Sequence, residues 1–172
     1  MSERLRLRKG RNNIIHYKYS DKEIDILLKN MVIIMDTREQ SNLHIIDYFV
    51  KKKIKYEIKK IDTGDYSFYI PSNEDTKPLG IDRDIYFNSY VERKNGVDEI
   101  VGNLVKSNGT TFENELIRSQ GSKFVLFVED LEFDYKVANG KYISKYDPKA
   151  LRGRLDSLQA KYNFEIRPVD KD

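Results

Sequence analysis

Residues 85–98 read IYFNSYVERKNGVD, and the parsing of this stretch decides the fold. As far as Lys94 it is dense in β-branched and aromatic residues, the composition of a strand, and Asp98 then opens a helix. Period-two alternation along the strand puts Glu92 and Lys94 on one face and Arg93 on the other. A solvated strand accounts for one such charge at a time. Three adjacent charges next to Tyr90 and Val91, in a run otherwise fit for burial, point instead to side chains that a buried strand delivers to a polar site.

Toward the N-terminus, VIIM at 32–35 is a continuous apolar run that reads as a strand buried on both faces, and its end delivers Asp36, Arg38 and Glu39 into a loop. A helix is predicted over about 20–29, opened by Ser20 and Glu23 in capping-box spacing. Another is predicted over 42–53, with the run Lys51 to Lys53 at its C-terminus. KYEIKKID at 55–62 alternates as a half-buried strand, Gly64 permits a tight turn, and Asp65 follows it directly. A strand from Tyr66 ends at Pro71, and 72–84 reads as a mobile polar excursion. Downstream, helices are predicted over 98–106 and 111–120, separated at Ser107, Asn108 and Gly109. A buried strand over Phe124 to Val128 runs into Glu129. Asp147 and Pro148 open a helix carrying the stripe Leu151, Leu155, Leu158 and Tyr162, and a last strand spans Phe164 to Val169. Strands alternating with helices give an α/β class, with a three-layer sandwich as the favoured form.

With 172 residues, 39% of them hydrophobic and 12% aromatic, the chain can bury a real core as one domain, predicted over 20–172. Cysteine is absent, which excludes disulfide scaffolds, thiolate zinc sites and cysteine nucleophiles. No run approaches the roughly 20 apolar residues needed to span a bilayer, and the first residues lack a signal peptide's apolar core, so a soluble protein of the intracellular, cytoplasmic space is expected. His16 and His44 are the two histidines, which leaves no familiar triad or zinc set, and no Gly-rich phosphate loop suggests nucleotide hydrolysis. The net charge of +3 is unevenly spread: Arg4, Arg6, Arg8, Lys9 and Arg11 stand against Glu3 alone. Residues 1–19 therefore read as a basic arm suited to DNA phosphates, with a solubilising tail as the plainer alternative.

Asp36, Asp65 and Glu92 each sit at or near the end of a predicted central strand, where side chains from distant parts of the chain can converge. Carboxylate oxygens suit Mg²⁺ or Mn²⁺, and a lysine at position 94, on the face of Glu92, adds a fixed cation toward an attacking water or the transition-state oxygens. A lone Gly-Asp is usually a turn and a lone Glu-x-Lys a solvated face, so the weight rests on the combination.

That combination resembles the nuclease domain of XPF-type structure-specific endonucleases, within the PD-(D/E)XK superfamily. The family pattern is Gly-Asp, a variable gap, Glu-Arg-Lys, three residues and Asp, matched here by Gly64, Asp65, Glu92, Arg93, Lys94 and Asp98. Asp36, Thr37, Arg38 and Glu39 match the upstream Asp-x-Arg-Glu element, and Phe124 to Glu129 the apolar strand ending in an acid; the likeness covers roughly 31–169. It implies a restriction-endonuclease-like α/β/α sandwich with a central mixed sheet. It further implies that Asp65, Glu92 and the backbone carbonyl of Arg93 hold the metal, with Asp36 and Glu39 as ligands or water-mediated partners. Lys94 would assist the attacking water and Asp98 orient the lysine or the arginine. Arg38 and Arg93 become contacts to the scissile strand or supports of the carboxylates, a structural ion pair being the equal alternative for Arg93.

The implied activity is Mg²⁺- or Mn²⁺-dependent cleavage of branched DNA, as flaps, forks or junctions, in repair, recombination or replication. A non-catalytic DNA-binding scaffold and a less structure-selective nuclease are the alternatives. Family members pair through their last helices, which implies a homodimer using the stripe Leu151, Leu155, Leu158 and Tyr162; an intramolecular core stripe has the same pattern. Cellular members usually continue into a tandem helix-hairpin-helix module, so the arm or a DNA-targeting partner protein is expected to supply part of the affinity. The short form resembles phage-encoded versions, which would place it in host cytoplasm.

Overall fold

A computed structural model describes residues 19–40 and 42–171, with backbone alone at 8–9, 15–16 and 107–108. Arg4, Arg6 and Arg11 lie outside the described residues, as do the side chains of Arg8 and Lys9. The chain divides into two compact units, one of Met1–Met31 with Ile70–Ile85 and one of Val32–Tyr69 with Tyr86–Asp172.

In the first unit, β1 (Arg8–Lys9) and β2 (Ile15–His16) form a short antiparallel ladder. Helix α1 (Asp21–Asn30) starts at the expected capping box: the Ser20 side chain accepts the Glu23 amide while the Glu23 carboxylate accepts the Ser20 amide. The segment expected to be a mobile excursion is instead a built turn. Asn73 accepts the amides of Asp75 and Thr76, the fully buried Thr76 hydroxyl donates to the Pro71 carbonyl at 2.6 Å, and Ile81 is buried. Its polar composition serves hydrogen bonds within the turn itself, the use to which Asn and Thr side chains are suited.

The second unit carries β3 (Val32–Met35), α2 (Leu43–Lys52), β4 (Lys55–Ile58), most of β5 (Tyr66–Ile70) and the end of β6 (Ile85–Tyr86). It continues with β7 (Ser89–Lys94), α3 (Val97–Val105), α4 (Thr110–Arg118), β8 (Lys123–Val128), α5 (Phe133–Asn139), α6 (Pro148–Tyr162) and β9 (Glu165–Pro168). The strand order is β4-β3-β5-β7-β8-β9, with β6 paired to β5 off this path. β3–β4 and β7–β8–β9 are parallel, and β5 runs antiparallel to both β3 and β7, so the sheet is mixed as expected. Both faces are covered. On one, Phe49 of α2 packs its ring 5.6 Å from Tyr56. On the other, Phe124, Leu126 and Val128 of β8 join the buried residues of α3, α4, α5 and α6 in one core. This is the α/β/α sandwich.

Further expectations change, the first being that the single strand read from Ile85 as far as Lys94 is two, β6 and β7, with Phe87 and Asn88 between them. The helix α5 was not foreseen; Phe133 and Val137, one turn apart and buried, are its core contacts, and Gly140 caps it at φ 65°. β4 stops at Ile58, shorter than expected: Lys59 still donates to the Met35 carbonyl, and the chain then turns so that the Ile61 amide reaches the Asp36 carboxylate. The stripe Leu151, Leu155, Leu158 and Tyr162 is buried in the chain's own core, at 0, 1, 2 and 8% exposure, so it is not free to form a homodimer interface. The outward residues of α6, among them Lys149, Gly153, Asp156 and Lys161, are small or charged.

Candidate active site

The site is assembled where β3, β5 and β7 meet. Gly64 makes it possible: it adopts φ +72°, and a Cβ there would stand 2.9 Å from the Val91 carbonyl oxygen. The next residue, Asp65, is then bound to both neighbouring strands. Its amide donates to Val91 at 2.8 Å, its carbonyl accepts the Asp36 amide at 2.8 Å, and its carboxylate accepts the Arg93 amide at 2.8 Å. Burial, and next the charge of Glu92, push the Asp65 carboxyl well above the usual range.

Register on β7 sends its three charged residues to opposite faces of the sheet. Glu92 lies beside Leu126 and Lys94 beside Val128, on the face covered by α3 to α6, while Arg93 lies beside Phe127 on the other face. Lys94 Nζ donates to Glu92 at 2.5 Å and stands 3.6 Å from Glu99, and both Lys94 and Glu92 are buried. Burial raises the Glu92 pKa; Lys94 works against this, and Glu115 of α4, hydrogen-bonded to Glu92, adds to it. For Lys94, burial pulls the pKa down but the charge of Glu92 and the hydrogen bond to it prevail, so the pKa is raised and the group stays an ammonium at neutral pH. It stands there as a buried cation between Glu92 and Glu99.

Asp36 departs from the expected role. Its carboxylate, 2% exposed, accepts from the Arg38 amide and Nε, at 2.8 and 2.6 Å, and from Arg38 Nη2 and the Ile61 amide, at 3.2 and 2.8 Å. The Arg38 side chain, first among these, holds the Asp36 pKa down at about 2. With both oxygens engaged, Asp36 positions Arg38 and the chain leaving β4, and Arg38 Nη2 completes the clamp on the Ile61 carbonyl at 2.9 Å.

Arg93 takes the structural one of its two expected roles. Its guanidinium, in a side chain 8% exposed, is held by Glu39 at 2.6 Å and Glu129 at 2.9 Å, and Glu129 in turn meets His44 at 2.7 Å. Two charge-assisted bonds from a planar fork to buried carboxylates make a structural ion pair. Glu39 is thereby bound to Arg93. Asp98 does not orient Lys94 or Arg93: its carboxylate accepts the Ile143 amide at 2.7 Å, and the following residue, Glu99, faces Lys94.

A cavity of about 200 Å³ opens beside Asp65, lined by Arg38, Asp62, Thr63, Glu115 and Arg118. Glu115 and Arg118 were missed in the sequence. The signal was present, since Phe112 and Leu116 mark the buried side of α4 and a pair three residues apart shares an adjacent side, but nothing in that pattern said which strand it faced. The cavity, which Asp65 also lines, brings two guanidinium groups together with three carboxylates, Asp62, Asp65 and Glu115, at a scale that admits a phosphate group with water.

Among the described residues no three acidic or histidine side chains are already gathered closely enough to hold a metal ion. The donor chemistry still fits one: Mg²⁺ commonly takes one or two carboxylates and completes its shell with water and substrate phosphate. Asp65, Glu92 and Glu115 crowd acidic groups together in a buried setting, and a divalent cation would relieve their repulsion.

No helix among the described residues is long and apolar enough to cross a membrane. Among curated proteins none matches the chain. Solved structures do. XPF from Aeropyrum pernix is similar at a TM-score of 0.52 and 14% identity, over 80% of this chain and 57% of that one. XPF from Aeropyrum pernix in complex with DNA is similar at 0.53 and 14%, over 81% and 56%. The chain thus spans less than two thirds of their length, and at such identity the likeness is one of fold. The sequence profile of the ERCC4 domain matches residues 35–172, a span that includes Asp36, Gly64, Asp65 and the run Glu92 to Lys94, and the chain belongs to the ERCC4 domain family.

Proposed function

We propose that the chain is a divalent-metal-dependent endonuclease that hydrolyses phosphodiester bonds in branched DNA, a flap, fork or junction, inside the cell, and that residues 20–172 are its nuclease domain. The observation that carries this reading is the proximity of Asp65, on the wall of a cavity flanked by Arg38 and Arg118, to the buried Glu92 and through it to Lys94. Family membership and a fold shared with a DNA-bound XPF support it.

Asp65 and Glu92, with Glu115 next to them and the Arg93 carbonyl on the same strand, would hold Mg²⁺ or Mn²⁺. Bound there, the ion supplies Lewis-acid polarisation of the phosphoryl oxygen and a more acidic water. The protein's own groups do the rest. Lys94, kept protonated by Glu92, places a positive charge where negative charge grows on the phosphoryl oxygens, and burial strengthens that interaction. Arg38, held rigid by Asp36, and Arg118 bind the non-bridging oxygens and fix the phosphodiester against Asp65. Asp36 is a positioning residue in this scheme.

The test is cleavage of labelled flap, fork, junction and linear DNA by the wild type, Asp65→Ala and Lys94→Ala with Mg²⁺, Mn²⁺ or EDTA. The expected result is metal-dependent cutting of branched substrates, lost in both variants. A wild type that binds DNA and cuts none in either metal would sink the reading and leave a scaffold.

A further inference from the structure

Residues 51–60, KKKIKYEIKK, hold six lysines against the single carboxylate Glu57, in a chain whose total charge is +3. All six lysines are exposed. Lys51 and Lys52 end α2 and Lys53 caps it at φ 56°, where cations meet unpaired carbonyls, so helix termination accounts for those three. Lys55 sits on β4, the edge strand, where a lysine discourages pairing with another sheet. Lys59 and Lys60 lie past the end of the strand, and neither explanation reaches them.

Their position does. Directly after Lys60, the Ile61 amide donates to Asp36 at 2.8 Å and its carbonyl accepts Arg38 at 2.9 Å, and the next two residues, Asp62 and Thr63, line the cavity. The lysine run therefore leads without interruption into the wall of the site. From Lys55 to Lys60 an extended chain covers roughly 15 Å. That is the run of about four or five phosphates along one strand of duplex DNA. Lys59 Nζ donates to the Tyr86 hydroxyl at 3.2 Å, so its head is engaged locally, while six lysines against one carboxylate keep the run strongly positive. Lys59 Nζ lies 4.9 Å from the centre of the exposed Tyr86 ring, itself stacked on Tyr69, and 4.0 Å from Glu57; Lys52 Nζ lies 5.8 Å from the Tyr48 ring. Asp47 and Asp62 are the acids that flank the run in sequence.

We infer that the end of α2 together with β4 and the residues after it form a phosphate-binding rail, which receives the DNA arm running away from the active-site cavity. The inference rests on the DNA-cutting reading above and adds a surface to it. An acidic protein would match the charge equally well, but continuity with a phosphate-sized cavity favours nucleic acid backbone.

The experiment measures binding of the full chain to fluorescently labelled flap DNA by anisotropy in EDTA, where no cutting occurs, across about 50 to 200 mM KCl. The variants are Lys55→Gln/Lys59→Gln/Lys60→Gln, the same three positions changed to Arg, and Lys145→Gln/Lys149→Gln as an exposed control. Each lost phosphate contact lowers the slope of log affinity against log salt by about 0.9 on duplex DNA, so the glutamine triple variant is expected to lose roughly 2 to 3 units of slope and at least about tenfold in affinity at low salt. The arginine triple variant and the control should bind like the wild type. A glutamine triple variant with the wild-type slope, a control that loses as much, or poly-glutamate competing as well as DNA overturns the rail. If the wild type still cuts flap DNA in Mg²⁺ in those cases, the nuclease reading stands alone; a wild type that neither binds nor cuts DNA removes both.

Discussion

Replacing Arg93 with methionine separates the two roles that its motif position suggests. The substitution keeps much of the side chain's length and removes its charge, leaving Glu39 and Glu129, with side chains 10% and 4% exposed, facing a buried space without their shared cation. Breaking a buried ion pair from one side costs about 3–5 kcal/mol, because the remaining charge is stranded. His44 stays 2.7 Å from Glu129 and offsets part of this, which favours the lower half of the range. At roughly 2–4 °C per kcal/mol for a chain of this size, the Tm should fall by about 10 °C. Thermal denaturation followed by circular dichroism at 222 nm measures it, with DNA affinity by anisotropy on the same samples below the transition. Adding Glu39→Gln and Glu129→Gln should recover most of the loss, since a wholly neutral cluster strands no charge. A Tm within about 2 °C of the wild type, together with weakened DNA binding, would refute the reasoning and return Arg93 to the DNA interface.

Three further outcomes are expected. Gly64→Ala combines a left-handed backbone with a Cβ 2.9 Å from the Val91 carbonyl oxygen, so it should cost at least about 1–3 kcal/mol in urea denaturation and reduce cleavage, because the residue it displaces is Asp65. The Asp36 carboxyl, held at about 2, contributes stability that is fully present above the ordinary aspartate pKa and is lost as pH falls through about 2. Its stabilisation is of the order of 2 kcal/mol, so Asp36→Asn should flatten the acid side of a stability-against-pH curve between about pH 4 and 2, and an unchanged curve would count against the Arg38 clamp. Leu155→Ala should lower stability by about 2–5 kcal/mol with no change in association state by analytical ultracentrifugation, whereas an interface role would shift association and spare the monomer.

The sequence made much of the fold legible, for reasons that differ from element to element. The apolar runs at 32–35 and 124–128 have few other readings than buried strands, and Ser20 with Glu23, or Asp147 with Pro148, mark helix starts through chemistry local to the turn. α5 is short and its two core contacts are too few for a periodic signal. The site divided in the same way. Gly64 beside Asp65 and the alternation of Glu92, Arg93 and Lys94 are local patterns, and they placed the strand faces correctly. Arg38, two residues from Asp36, was within local reach, but the further partners of Asp36 and Asp98 were not legible, because Ile61 and Ile143 lie 25 and 45 residues away and offer only backbone amides, which every residue has. Glu115 and Arg118 were hidden for a related reason: a helix shows which of its faces is apolar, and nothing about which strand its polar face meets.

β7 carries the ion-paired Arg93 and the proposed site residues Glu92 and Lys94 at alternate positions, and that arrangement has a consequence for descent. In a gene copy relieved of the proposed cleavage, Glu92 and Lys94 pair with each other and can be lost together at little harm to the fold, while Arg93 remains indispensable to Glu39 and Glu129 on the opposite face. Retired relatives are then recognisable by an arginine still flanked by the strand's apolar residues, its two neighbours eroded and both of its acidic partners preserved.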